Sequence, residues 1–161
     1  MTSERKSKAY RAFLYETLVL AIAIDRLRHN PEVSRTRPFA NDQLAIEAAL
    51  IKSRSLLDFL KNGLTSNRDV TVGAFGMRPF KMTRELNDYR NSVSKFSAHI
   101  TWQRADRDPL GPKHPTRAEI IKRGGEILQV AWSAIQGIDE MLAKDKSGKK
   151  YYNCLKKMMK S

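Results

Sequence analysis

The segment 86–102 constrains the fold of this chain more than any other stretch of its sequence. Its apolar residues recur at alternating intervals of three and four positions, and they are Leu86, Tyr89, Val93, Phe96 and Ile100. That spacing places all of them on one side of an α-helix. The segment therefore predicts a helix with one buried seam, and His99 lies beside that seam at its polar edge.

Similar apolar patterns predict helices elsewhere, and no segment alternates convincingly as a strand would. The first helix is expected to end before Asn30-Pro31, and the second to begin at Asn41 or Asp42 and to end before Asn62-Gly63. The predicted ranges are 4–28, 41–61, 83–103 and 116–142. We therefore predict an all-α fold, an up-and-down four-helix bundle with a basic C-terminal extension. A short helix or a hairpin stays open for the connection 62–82.

The start of the fourth predicted helix carries two local signals. Thr116 and Glu119 form a capping box, in which each side chain bonds a free backbone amide of the other residue. The pair Gly124-Gly125 inside the helix costs about 1–2 kcal/mol of helix stability. A close crossing with another helix at this point would explain the pair.

Positive charge is concentrated at the C-terminal end of the chain. The net charge is +13, and residues 143–161, with seven lysines and one aspartate, hold +6 of it. We divide the chain into a bundle domain, 1–145, and a basic C-terminal tail, 146–161. Charge of this size favours an anionic partner such as RNA or another polyanion. A tail that only improves solubility is the alternative.

The basic tail interleaves lysines with aromatic residues. Its candidate nucleic-acid-binding residues are Lys149, Lys150, Tyr151, Tyr152, Lys156 and Lys157. Tyrosine rings can stack on bases while lysines neutralise phosphates. The same pattern suits a helix on an anionic lipid surface. It also suits an amphipathic tail that docks on its own bundle or on a dimer mate.

The sequence predicts no metal site and no cofactor. Cys154 is the only cysteine, and His29, His99 and His114 are too far apart in the chain for zinc-ligand spacing. No phosphate loop or dinucleotide fingerprint is present. The apolar stretch 18–24 is much shorter than the ~20 residues that span a bilayer, so we interpret it as part of a core helix rather than as a targeting or transmembrane segment.

Three charged residues share one side of the second predicted helix. They are Glu47, Arg54 and Asp58, and the last two stand at i and i+4, where they can pair. Because this stripe borders apolar residues, we interpret it as a structural polar cluster that contributes mainly to stability.

Two runs in these helices resemble a bacterial branch of the HEPN-type helical bundles. They are EAALIKSRSLLDFL at 47–60 and NSVSKFSAHIT at 91–101. Many HEPN proteins are metal-independent RNases of toxin–antitoxin or defence systems. Their motif is an arginine, a polar residue and a histidine some five to seven positions after the arginine, and a dimer brings two such motifs together.

In that resemblance His99 takes the catalytic position, but the arginine departs from the pattern. Arg90 precedes His99 by nine positions, which turns it about half a turn out of phase on a helix. Lys95, one turn before His99, is the nearest cation that could replace it. The alternative role for His99 is an imidazole at the edge of the bundle, hydrogen-bonded to Glu47 or Asp58.

These observations predict a cytoplasmic homodimer that associates with nucleic acid. The expected function is that of a degenerate or non-catalytic HEPN-like RNA binder. One alternative is a structural or protein-interaction module, and another is a metal-independent RNase of a toxin–antitoxin or defence system.

Overall fold

A computed structural model describes residues 2–29, 39–61, 70–94, 115–142 and 148–160, and its regular structure is entirely helical. The elements in chain order are α1 (Ser3–His29), α2 (Phe39–Lys61), a 3-10 helix (Val72–Phe75), α3 (84–94), α4 (Arg117–Leu142) and α5 (Lys149–Met158). The all-α prediction is thereby confirmed for this part of the chain. The 3-10 helix lies in the connection 62–82, whose sequence is compatible with either a short helix or a hairpin.

α1 is the central element, since it packs against α2, α4 and α5. Its apolar residues repeat at helical spacing, and the fully buried ones include Leu14, Leu20 and Ile24. α2 begins at Phe39, so the start that we predicted at Asn41 or Asp42 is two to three residues late. Helix ends commonly vary by such a margin.

α4 crosses α1 closely at the glycine pair, as the sequence predicted. A Cβ atom added to Gly124 would lie 2.8 Å from Cγ1 of Ile24, so only glycine lets the two helices approach this far. The start of α4 is also hydrogen-bonded to the end of α1, because Nη2 of Arg117 donates to the Leu27 carbonyl at 2.7 Å. Thr116 Oγ1 accepts from the Glu119 amide at 3.2 Å, which is the hydroxyl half of the predicted capping box.

α3 buries the seam that the sequence predicted, as far as the structure describes it. Leu86, Tyr89 and Val93 are all buried, whereas Phe96 and Ile100 lie outside the described residues. The helix is capped by Thr83, whose Oγ1 accepts from the Leu86 amide at 3.3 Å. Its predicted continuation to residue 103 also lies outside the described residues.

α5 packs on α1 through one apolar side. Leu155 is completely buried, and a Cβ atom added to Gly148 would lie 3.0 Å from Cδ1 of Leu14. The predicted domain boundary at residue 145 falls in the segment 143–147, outside the described residues. Among the helices that the structure describes, none has the length and hydropathy needed to cross a membrane.

Candidate nucleic-acid interface

The lysines of α5 occupy the side of the helix opposite to its buried side. Residues 148–160 contain five lysines and no acidic residue. All five are exposed, and they are Lys149, Lys150, Lys156, Lys157 and Lys160. Steps of about 100° per residue place the first four on the outer side of α5, away from Leu155, and Lys160 follows just after the end of the helix. We call this surface the lysine face. None of its members forms an ion pair with the described part of the chain.

The two tyrosines of α5 take part in ring contacts within the chain. Tyr152 stacks on Trp132 of α4, with ring centroids 5.5 Å apart and an interplanar angle of 26°. Tyr151 meets Tyr15 of α1 edge to face at 5.8 Å and 65°. Both α5 rings are partly buried. The predicted interface residues therefore separate into four exposed lysines and two rings that attach α5 to its neighbours.

The candidate catalytic residues Lys95 and His99 lie outside the described residues, as does His114. His29 is a surface residue, and its Nδ1 lies 3.0 Å from Oδ1 of Asp25. In the described part of the chain, no three His, Cys, Asp or Glu side chains come together as metal ligands would. Cys154 is exposed on α5 and forms no disulfide.

The structure rearranges the partners within the predicted polar cluster. Nε of Arg54 lies 3.9 Å from Oδ2 of Asp58, at the outer limit of an ion pair. Nε of Arg90, on α3, donates to Oδ1 of the same carboxylate at 2.6 Å. Glu47 instead accepts a hydrogen bond from Gln43, one turn earlier on α2, at 3.1 Å. Asp58 therefore joins α2 to α3 through Arg90, a residue outside the predicted cluster.

A cleft of about 640 Å³ lies between α1, α2 and α3 beside this ion pair. Its charged lining residues are Glu16, Asp58 and Arg90, and its apolar ones include Phe13 and Phe59. Each carboxylate already has a cation, because Nζ of Lys52 lies 2.9 Å from both oxygens of Glu16. A site whose charges compensate one another attracts an ionic ligand weakly, so the lysine face is the stronger candidate for binding a polyanion.

The hydroxyls of Ser53 and Tyr89 are buried between α2 and α3. Neither has a hydrogen-bond partner of standard geometry among the described residues. Burial raises the pKa of Tyr89 to about 12, and the neighbouring Ser53 hydroxyl offsets only part of that rise. This pair belongs to the core and is not part of a surface site.

No protein-family profile, curated protein or solved structure matches the chain. The functional argument therefore depends on the charges and contacts described above.

Two features of these sites were not found from the sequence. The sequence relates Arg90 only to His99, whereas the pairing of Arg90 with Asp58 depends on how α3 is rotated against α2. The second feature is Tyr15, which lies off the apolar stripe of α1 and is 47% exposed. Tyr15 stands seven residues from both Lys8 and Ile22, which places all three on the outer side of α1. This spacing is the sequence signal that indicates an exposed Tyr15.

Proposed function

We propose that this protein is a non-catalytic, HEPN-like RNA-binding protein, a cytoplasmic homodimer built as a four-helix bundle with a basic C-terminal extension. The observation that carries the proposal is the lysine face of α5. Four exposed lysines lie on one side of this docked helix, a fifth, Lys160, follows just after its end, and no acidic residue lies among them. Such a surface binds phosphates through charge and the release of counterions.

The absence of efficient cleavage is part of the proposal. The resemblance assigns His99 the catalytic position, but the arginine that should accompany it is bound to Asp58 on α2. A histidine alone, acting as a general base, accelerates a reaction by only about 10²–10⁴-fold. Binding without efficient cleavage is therefore the expected behaviour.

The test is a binding and cleavage assay with labelled RNA at two salt concentrations, without added metal. We expect RNA to bind, to bind more weakly at the higher salt, and to remain intact. Absence of RNA binding at low salt would contradict the proposal. Rapid cleavage in the presence of a chelator would favour the RNase alternative instead.

A second candidate, a protein-interaction module, is favoured by one specific observation. Leu44 and Ile51 are exposed on the outer side of α2 and stand seven residues apart. Two apolar side chains at this interval form a short stripe of the kind that helices bury against one another. Leu44→Ser with Ile51→Ser should abolish self-association in sedimentation experiments if α2 forms such an interface. Unchanged sedimentation would exclude this stripe as the contact.

A further inference from the structure

Tyr15 is an exposed aromatic ring beside the basic helix. The buried residues of α1 form a stripe on the opposite side of that helix, and Tyr15 remains 47% exposed. The ring of Tyr151 contacts it edge to face, with centroids 5.8 Å apart. Tyr15 is therefore both accessible to solvent and restrained by a neighbour. A ring restrained in this way loses less conformational entropy when it binds a ligand than a freely rotating one.

Tyr15 differs in this respect from the aromatic residues that α5 itself supplies. The ring of Tyr152 lies nearly parallel to Trp132, so one of its faces is covered. An edge-to-face contact covers at most one face of either partner, and much of Tyr15 stays open. Of these three tyrosines, Tyr15 offers the most ring surface to an external flat group.

Basic residues neighbour this ring along α1 and at the start of α5. Arg11 stands one turn before Tyr15 on α1, and its Cγ lies 3.7 Å from the position of a Cβ atom added to Gly148. Lys149 and Lys150 follow Gly148 directly and are exposed. Because Tyr15 contacts Tyr151, which directly follows Lys150, the ring lies near the start of the lysine face. Stacking rings combined with cations are how proteins bind single-stranded nucleic acid.

We propose that Tyr15 stacks on an unpaired base of an RNA strand whose phosphates are neutralised by the lysine face. This inference rests on the proposed RNA-binding function, and it specifies the class of RNA as single-stranded. In a duplex the faces of the bases are already stacked on one another, and only their edges are accessible in the grooves. A ring such as Tyr15 has no partner there, whereas an exposed base in a single strand provides one.

The test compares Tyr15→Leu with the wild type for binding to a fluorescent single-stranded RNA and to a duplex of the same length. Loss of the stack should weaken single-strand binding by about 5- to 150-fold. Duplex binding should not change. The dependence of single-strand affinity on salt should also stay the same, because the substitution removes no charge. Tyr15→Trp should keep or increase the affinity for the single strand.

Ile22→Ala is the matched control, because Ile22 lies on the same side of α1 and is even more exposed, at 52%. It should leave RNA binding unchanged. An equal loss in Ile22→Ala and Tyr15→Leu would show apolar contact by the whole stripe and overturn the stacking role. Wild-type binding that Tyr15→Leu does not weaken would overturn this inference alone. No binding by the wild type would remove the proposed function together with it.

Discussion

Arg90 on α3 is bound to Asp58 on α2, with its Nε 2.6 Å and its Nη2 2.5 Å from the same carboxylate oxygen. The arginine side chain is 26% exposed and the aspartate 35%. This ion pair connects two helices that both contribute buried apolar residues to the same core. It also fixes the guanidinium that the HEPN resemblance would associate with catalysis.

We therefore expect Arg90→Ala to destabilise the fold more than Arg54→Ala does. Since Asp58 is partly solvated, the loss in Arg90→Ala should be about 1 kcal/mol. Arg54, 43% exposed and 3.9 Å from Asp58, should contribute less than about 0.5 kcal/mol. Urea unfolding of the two variants measures both values. A larger loss in Arg54→Ala would contradict the observed pairing.

The contact between Arg90 and Asp58 also predicts slow RNA cleavage. With Arg90 engaged by Asp58, metal-free RNA cleavage should be absent or very slow. Any residual cleavage should disappear in both His99→Ala and Lys95→Ala, because the sequence predicts one helix through both residues and Lys95 precedes His99 on it by one turn. Chelated reactions followed on gels provide the measurement. Robust cleavage that survives Lys95→Ala but is lost in Arg90→Ala would mean that the HEPN motif is intact.

The glycine pair in α4 provides a matched test of the helix crossing. Gly124→Ala should destabilise the protein by about 1–3 kcal/mol, because its methyl group would collide with buried Ile24. Gly125→Ala meets only Nη2 of Arg28, at 3.1 Å, and a flexible side-chain end can move away. Since alanine is the better helix former, Gly125→Ala should be neutral or stabilising by up to about 1 kcal/mol.

Thermal unfolding distinguishes the two glycine variants. Adding Ile24→Val to Gly124→Ala removes one methyl group at the crossing and should recover part of the lost stability. Equal effects of the two glycine substitutions would argue against the close approach at Gly124.

The buried Tyr89 hydroxyl leads us to expect that the free energy of unfolding decreases at alkaline pH. Its pKa is raised by burial from 10.0 to about 12, so folding favours the protonated ring. The resulting contribution to stability is complete below pH 10 and is lost as the pH rises from about 10 to 12. Across this range the wild type should lose about 2–3 kcal/mol more than Tyr89→Phe. Unfolding free energies that fall in parallel for both proteins would show that Tyr89 titrates normally.

The features that could be predicted from the sequence are those set by local periodicity. The seam at Leu86, Tyr89 and Val93 follows from helical spacing alone, and it is buried. The crossing at Gly124 follows from the residue type, because glycine lowers the stability of a helix and is expected inside one mainly where close packing requires it. The hydroxyl of Thr116 caps α4 because its bond partner is only three residues away.

The features that could not be predicted depend on how separate helices are rotated against each other. Arg90 and Asp58 are 32 positions apart, and their pairing requires α3 to present Arg90 toward α2. The contact of Tyr151 with Tyr15 joins helices from opposite ends of the chain. Because of this contact, the Tyr151 ring restrains Tyr15 and is less available to stack on a base itself. Spacing within one helix contains no information about either contact.

The salt dependence of RNA binding tests the central claim, that the lysine face of α5 binds the RNA, most directly. The α5 variant replaces Lys150, Lys156 and Lys157 with alanine, and the control variant replaces three exposed lysines elsewhere, Lys61, Lys81 and Lys122. Both variants lose the same charge, and alanine is compatible with the helix.

For the α5 variant, the slope of log affinity against log salt for a single-stranded RNA should fall by about 2, since each neutralised phosphate contributes about 0.7. The control variant should keep nearly the wild-type slope. Equal slopes in the two variants would contradict the account, because binding would then follow the overall charge of the protein and not the lysine face.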